Sequence, residues 1–394
     1  MIQAIVKKGK VLAENIPSPN VSKGGVLIKV VNSCISSGTE LSGVKESSKS
    51  MIKRAMEQPE QVKEVFKYFK SNGFSKTYQR VKGTIDGGKQ TGYSISGVVL
   101  AVGEGVDSFK LGDRVAAAGA GLANHSEFVD VPSNLVMGIP DELDFVEAST
   151  VTLGGIAMQG VRRCELNLGE ICVVFGAGIL GLLAQQMLQR SGVRTIVLDL
   201  DNERLALAKK FGAELTINPK DEDAVLAVHN LTGNHGADAV IFTAATHSDE
   251  PLSSAFKMCR KKGKVVLVGV SGMNIKRGDI YKKELDFLVS TSYGPGRYDR
   301  NYEEKGLDYP YAYVRWTENR NMLEYLRLLG TKEVLVEGMI SKVYPILEVE
   351  KAYDALGATE GSSPIIAILD YGKEGLDDLN GFTYKQEKVI TSAS

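Results

Sequence analysis

Two periods divide this chain. Over residues 1–46 and 92–135 apolar and polar side chains alternate in short runs, among them Val26-Leu27-Ile28-Lys29-Val30-Val31, the stretch Gly97–Val102, and Arg114-Val115-Ala116-Ala117. A period of two marks strands, and the breaks at Gly103-Glu104-Gly105 and Leu111-Gly112-Asp113 mark turns. This part predicts a small β-barrel-like unit. From about Gly154 the period lengthens. Strands are expected over 171–175, 195–199, 239–243 and 264–268, with helices over 179–190, 202–211 and 251–261 between them. Such βαβ alternation implies a parallel sheet covered on both faces. Gly212 and Gly263 stand where helix C-caps belong.

Past Ser290 the alternation stops in a tyrosine- and arginine-rich stretch. A helix over 346–356 and a strand over 364–369 then read as a return to the first unit. The expected division is 1–153, with a helical insertion at 45–82, then 154–292, then a return segment 293–371, and a polar, loosely ordered tail 372–394. In the insertion, Met51, Ile52, Met56, Val62, Val65, Phe66 and Phe69 fall at roughly helical spacing. Interleaved Glu46, Glu57, Glu60 and Glu64 make it a solvated face rather than a basic binding surface.

Composition narrows the partners. The chain has 394 residues, enough for two domains, and 47 lysines and arginines against 48 aspartates and glutamates. The net charge of -1 gives no reason to expect nucleic acid or an anionic membrane. Cys34, Cys164, Cys172 and Cys259 show no C-x-x-C spacing, which suits a reducing cytoplasm. The start lacks the apolar stretch of a signal peptide, and no apolar run is long enough for a membrane span.

Candidate chemistry begins at Ile171-Cys172-Val173-Val174-Phe175, a buried-strand run that leads straight into Gly176-Ala177-Gly178-Ile179-Leu180-Gly181 and an apolar helix. One glycine allows the tight turn, one lets backbone approach a pyrophosphate, and one lets helix and strand pack closely. The helix N-terminus offers free N–H groups to phosphate. Asp199 ends the next strand, where a carboxylate can take both ribose hydroxyls of the adenosine half and disfavour a 2′-phosphate. The sequence therefore predicts a Rossmann-type nicotinamide-dinucleotide site that prefers NAD over NADP. Ile179 and Leu180 in the turn, with Arg204, Thr243, Val268 and Gly269, are further candidates for cofactor contact. Arg204 and Arg194 are the residues able to argue for NADP instead.

The order of barrel, Rossmann domain and return segment resembles the medium-chain dehydrogenase/reductase superfamily over roughly residues 1–370. The resemblance rests on Ser37-Gly38-Thr39-Glu40-Leu41, Gly92-Tyr93-Ser94-Ile95-Ser96-Gly97, Leu111-Gly112-Asp113-Arg114-Val115, Glu127-Phe128-Val129, and the stretch from Leu168 through Asp199 to Gly212-Ala213. It implies an α/β fold, a doubly wound parallel sheet plus a GroES-like β-barrel catalytic domain, and a homodimer acting on a small molecule. Where zinc members of the superfamily carry a Cys, this chain has Ser37. Where they carry the His of Gly-His-Glu it has Tyr93, and the third ligand position falls near Val151 or Thr152. The four-cysteine lobe of the structural zinc is missing. No set of thiolate, imidazole or carboxylate survives at those positions, so no metal is expected.

A narrower resemblance is carried by Gly119-Ala120-Gly121-Leu122-Ala123-Asn124-His125, Thr243-Ala244-Ala245-Thr246, the stretch Ser292–Asp299, and Tyr313-Val314-Arg315-Trp316-Thr317-Glu318-Asn319-Arg320-Asn321-Met322. These are similar to the first module of bacterial bi-domain oxidoreductases that accompany polysaccharide biosynthesis, which implies a sugar-like substrate. Thr39 and Glu40 match a proton-relaying pair. Tyr93 either exchanges a proton with substrate or fills the vacated metal cavity. His125, Arg297 and Tyr298 are candidate substrate contacts. For the arginine the alternative is a loop held by ion pairs to Asp299, Glu303, Glu304 or Asp308. An enoyl or quinone reductase and a non-catalytic dinucleotide-binding module are the other functions left open.

Overall fold

The computed structural model describes residues 1–36, 38–48, 88–357 and 364–373. Ser37, the side chain of Thr39, and nearly all of the expected insertion 45–82 and tail 372–394 lie outside the described residues.

The first part opens with the alternating runs folded as β1 Ile2–Lys7, β2 Lys10–Asn15 and β3 Gly25–Ser36. Helix α1, Thr39–Ser48, follows at once, and then β4 Lys89–Gln90, β5 Ser94–Val102, β6 Arg114–Ala118, β7 Phe128–Pro132 and β8 Val136–Gly138. The chain then enters helix α2, Val151–Cys164, before β9 Ile171–Phe175. From there helices α3 Ile179–Arg190, α4 Asn202–Lys210, α5 Ala224–Leu231 and α6 Glu250–Met258 alternate with β10 Arg194–Leu198, β11 Leu215–Ile217, β12 Ala237–Phe242, β13 Cys259–Leu267 and β14 Asp286–Val289. Last come helix α7 Glu318–Gly330, β15 Ile340–Pro345, helix α8 Val349–Gly357 and β16 Ile366–Asp370.

The second sheet runs β11-β10-β9-β12-β13-β14, parallel throughout, with the order reversing beside β9. That is the doubly wound arrangement, and it puts a ligand crevice at the carboxyl ends of β9 and β12. Strands β9 and β12 are buried almost throughout, as a sheet sandwiched between helices requires. The other large sheet runs β15-β16-β3-β5-β6-β8, with β7 also paired to β3. Its long strand β3 pairs antiparallel with β16, so segments more than 300 residues apart share one ladder.

Helix α2 joins the two parts. A Cβ on Gly160 would lie 2.7 Å from Val268 Cγ2, so only glycine lets the helix settle onto the end of β13. On the other side α2 packs against Met322 and Tyr325 of α7.

Several local expectations need correction. Helix α6 ends at Met258 rather than near 261, because Cys259 already begins β13. Gly263 is therefore no helix cap. It sits inside β13, where pairing with β12 shifts register between Ala237 and Ala239 and a Cβ would meet Arg260 O and Asp238 O at 3.0 Å each. Gly212, at φ 95°, does follow the end of α4. Strand β11, helix α5 and strand β14 were not anticipated. Their short stretches carry too little periodicity to register. All four cysteines are buried free thiols, and no helix among the described residues is long and apolar enough to cross a membrane.

Candidate functional site

The turn after β9 is built so that three glycines meet three different surroundings. Gly176 has φ 107°, and a Cβ there would lie 2.9 Å from Ala244 N. At Gly181 a Cβ would come within 1.8 Å of Gly176 O, so helix α3 can press on the strand only without one. Around Gly178 a Cβ would meet nothing within 4 Å. That glycine caps α3 with no side-chain acceptor, leaving the first N–H groups of the helix to an outside partner. An open, donor-rich cradle of this kind fits a pyrophosphate. Ile179 is buried and Leu180 half-buried in the first turn of α3.

Asp199 follows β10 and reaches back to the turn. Its Oδ2 accepts from Ala177 N at 2.6 Å and its Oδ1 from Asp201 N at 3.0 Å, which fixes the half-buried carboxylate beside the glycines. Of the two arginines that bear on a 2′-phosphate, Arg194 is paired with Glu214 at 2.5 Å. Arg204 lies 3.6 Å from Asp201 and lines a cleft of about 520 Å³ together with Leu207, Gly338, Met339 and Ile365. Thr243 Oγ1 donates to Phe175 O and Gly176 O, at 3.1 and 2.8 Å, and so braces the turn from behind. Val268 packs on α2, and a Cβ on Gly269 would meet Ala244 O at 2.1 Å, which brings the ends of β12 and β13 together at the same crevice.

On the barrel side, Tyr93 sits between two fixed neighbours. Gly92 at φ 95° lies so close to His125 that a Cβ would be 2.5 Å from its backbone N. The Tyr93 carbonyl accepts from Gly119 N at 3.1 Å and from Thr152 Oγ1 at 2.8 Å. Ser94 Oγ donates to Ser149 O at 2.6 Å and accepts from Thr152 N at 3.1 Å. The Tyr93 side chain itself is only half-buried.

Glu40 and His125 are placed differently from the expectation. Glu40 is buried, and donors surround its carboxylate. Ser36 N reaches Oε1 at 2.9 Å, while Oε2 accepts from Thr91 Oγ1 at 3.0 Å, His125 Nε2 at 2.9 Å and the Tyr353 hydroxyl. His125 is 0% exposed, and its Nδ1 lies 2.7 Å from Ser33 Oγ, which in turn meets the Tyr371 hydroxyl at 2.9 Å. Neither ring nitrogen of His125 is left for a substrate, and the Glu40 carboxylate is saturated. Among the described residues, Glu40 and His125 thus spend their polar atoms on each other and on Ser33, Ser36, Thr91 and Tyr353, in a buried network beside Gly92.

Electrostatics agree with that geometry. Burial pushes the Glu40 carboxyl up, but the attraction and hydrogen bond of His125, with those of Tyr353 and Ser36, hold it below the ordinary value. Burial and the Glu40 charge push the Tyr353 hydroxyl well up. Ser33, Thr91, Tyr353 and Tyr371 escaped sequence reasoning, since they come together only when β3, β16 and α8 assemble.

Arg297 pairs with Glu303 at 2.5 Å and lies over the rings of Tyr293 and Tyr298, at 5.3 and 4.1 Å from their centroids. Its ion pair is one of those the sequence offered as the alternative to substrate binding. Tyr298 is 69% exposed. Nearby, Arg162 and Arg315 both stack on Trp316, at 3.4 and 3.8 Å from its ring centroid, and burial with the Arg315 charge brings Arg162 down to about 10.

A zinc ion does not fit the described side chains. Tyr93 stands at the histidine position, the Thr152 hydroxyl is spent on the Tyr93 carbonyl, and the Ser94 hydroxyl is spent on Ser149. Cys34 is buried within β3, its Sγ 3.9 Å from Ile35 O. No cluster of three or more His, Cys, Asp or Glu able to hold a metal occurs among the described residues.

A family model described as zinc-binding dehydrogenase matches residues 180–305. A sorbitol dehydrogenase of Bacillus subtilis is 28% identical over 249 residues, which is 55% of this chain and 68% of that protein. An alcohol dehydrogenase of Geobacillus stearothermophilus is 31% identical over 45% of this chain and 60% of its own length. Of solved structures, the 2R,3R-butanediol dehydrogenase of Bacillus subtilis superposes with a TM-score of 0.68 at 21% identity, covering 94% of this chain and 99% of that one. The galactitol-1-phosphate dehydrogenase of Escherichia coli gives 0.69 at 17% identity, covering 94% and 100%.

Proposed function

We propose that the chain is a member of the medium-chain dehydrogenase/reductase superfamily and a zinc-independent, NAD(H)-dependent oxidoreductase acting on a hydroxyl or carbonyl of a sugar-like polyol. Its relatives are dehydrogenases of the polyol and alcohol type. The observation that carries the zinc-independent reading is the clamped Tyr93 at a former ligand position, next to hydroxyls already committed to other partners. The bound nicotinamide supplies the hydride acceptor or donor. This chain's part is to place the reacting carbon and to move one proton. Tyr93 exchanges that proton with the substrate oxygen, and Glu40 and His125 act as positioning residues that hold Gly92-Tyr93 from below. Arg297 and Tyr298 border the substrate side. A homodimer in the cytoplasm, with a sugar-like substrate in polysaccharide biosynthesis, completes the reading.

Two measurements test it. Purified protein is expected to contain far less than stoichiometric zinc by elemental analysis and to keep its activity in strong chelator. Stoichiometric zinc, with activity lost on chelation and restored by zinc, would reinstate Lewis-acid catalysis. Cofactor choice is expected to rest on Asp199. Wild type should bind NADH more tightly than NADPH, and Asp199→Ala should erase most of the difference by removing the carboxylate that repels the 2′-phosphate. Tighter NADPH binding by the wild type sinks the assignment.

A further inference from the structure

Buried polar atoms without a hydrogen-bond partner are costly and few in folded proteins. Here five of them fall within one loop and the start of one helix: Ser290 Oγ, Tyr293 OH, Arg297 Nε, and both carboxylate oxygens of Glu318. Glu318 is 0% exposed. It opens α7, just after the N-cap Thr317, and its backbone N donates to Pro295 O at 2.8 Å. A Cβ on Gly296 would meet its Oε1 at 3.0 Å, so the carboxyl lies directly beneath the loop. Burial, then the like charge of Glu303, push this carboxyl up to about 9 against the pull of Arg297. Such an arrangement is poor as a structural element, because apolar residues of similar volume would cost less there.

The loop follows the carboxyl end of β14, on the side of a doubly wound sheet where ligands bind. It also touches α2 close to Tyr93. Thr152 of α2 holds the Tyr93 carbonyl, while a Cβ on Gly155, three residues on and so on the same helix face, would lie 3.1 Å from Tyr293 Cβ. One turn of helix thus separates the two contacts.

We propose that Glu318, Tyr293 and Arg297 form a subsite for a vicinal diol, the pair of substrate hydroxyls away from the reacting carbon. This rests on the polyol reading above and deepens it. Hydroxyls on adjacent carbons can pair side by side with the Glu318 carboxyl, which burial keeps protonated, one donating to its carbonyl oxygen and the other accepting its proton. Their oxygens also accept from Arg297 Nε and the Tyr293 hydroxyl, so one ligand feature engages four of the five orphaned atoms. Arg297 keeps its ion pair with Glu303 meanwhile, since that bond uses Nη1. Ser292 and Tyr298 hold left-handed φ of 48° and 68° at the two sides of the loop. Non-glycine residues in that region are strained, and strain of this kind gathers at functional sites.

The test compares sorbitol with 2-butanol, which offers a secondary hydroxyl and no diol. Glu318→Gln and the milder Tyr293→Phe are expected to lower the ratio of kcat/KM for sorbitol over 2-butanol by about 10–100-fold, mostly through KM. An unchanged ratio in both variants, with a raised melting temperature in Glu318→Leu, would overturn the subsite and leave a buried defect filled by water. Calorimetric titration of the cofactor-loaded protein with sorbitol separates this proposal from the functional one. Binding by the wild type that is lost in Glu318→Gln supports the subsite even if neither alcohol turns over, whereas no binding by the wild type overturns it.

Discussion

Tyr93→Phe is expected to lower kcat by about 10²–10⁴-fold, the usual worth of a positioned acid–base group, while NADH affinity and melting temperature stay close to wild type. The substitution removes one oxygen and keeps the ring, so the volume that Tyr93 fills beside the core is preserved. The backbone that anchors it is unaffected, because the bonds from Gly119 N and Thr152 Oγ1 go to the Tyr93 carbonyl. Only the hydroxyl is under test. A transition-state role predicts equal losses in kcat and kcat/KM. Full turnover in Tyr93→Phe, with stability lowered in Tyr93→Ala, would instead make the ring a plug for the vacated metal cavity. Thr39→Val would then be the next variant, since the resemblance matches Thr39 to a proton-relaying residue.

What the sequence disclosed follows the reach of local signals. The glycine turn was legible because β9, the turn and α3 are contiguous. Each glycine answers to a neighbour set largely by that one unit, and Asp199 needed only the next strand. The departures from the zinc motifs at Ser37 and Tyr93 are likewise a matter of residue identity within short stretches. The network around Glu40 was not. Its members come from β3, α1, the stretch before β5, the loop holding His125, α8, and the segment after β16, and nothing in a local window of Tyr353 separates it from any apolar-face residue of an amphipathic helix. His125 misled for a related reason. The glycine-rich turn before it is exposed at Ala120 and Gly121, yet the ring that follows is buried, with Gly92 pressed against it. Glu318 lay in a stretch that the sequence had singled out, but its burial depends on the loop from Ser290 closing over α7.

Removing the imidazole from that network is expected to be the most costly single change for stability. His125→Ala would leave a buried carboxylate at Glu40 with its strongest partner gone, and breaking one side of a buried pair typically costs about 3–5 kcal/mol. That is a large part of the whole folding free energy of an ordinary domain. The cavity left by the ring adds to the loss. Glu40→Ala is expected to cost less than His125→Ala, because it leaves hydroxyl and imidazole groups able to bond one another. The double variant should fall well short of the sum of the two, which is the mark of direct coupling. The sign with pH follows from the lowered Glu40 carboxyl. A depressed folded value stabilises above the ordinary carboxylate range, and that stabilisation is lost as pH falls through the folded value. Wild type should therefore lose stability on acidification partly through Glu40, and His125→Ala should begin its loss at higher pH. Chemical denaturation across roughly pH 2–7, which brackets the usual glutamate value of about 4, checks both claims. A loss below about 1 kcal/mol in His125→Ala, with an unmoved acid limb, would show that the network is ornament to the barrel and does not hold Gly92-Tyr93 in place.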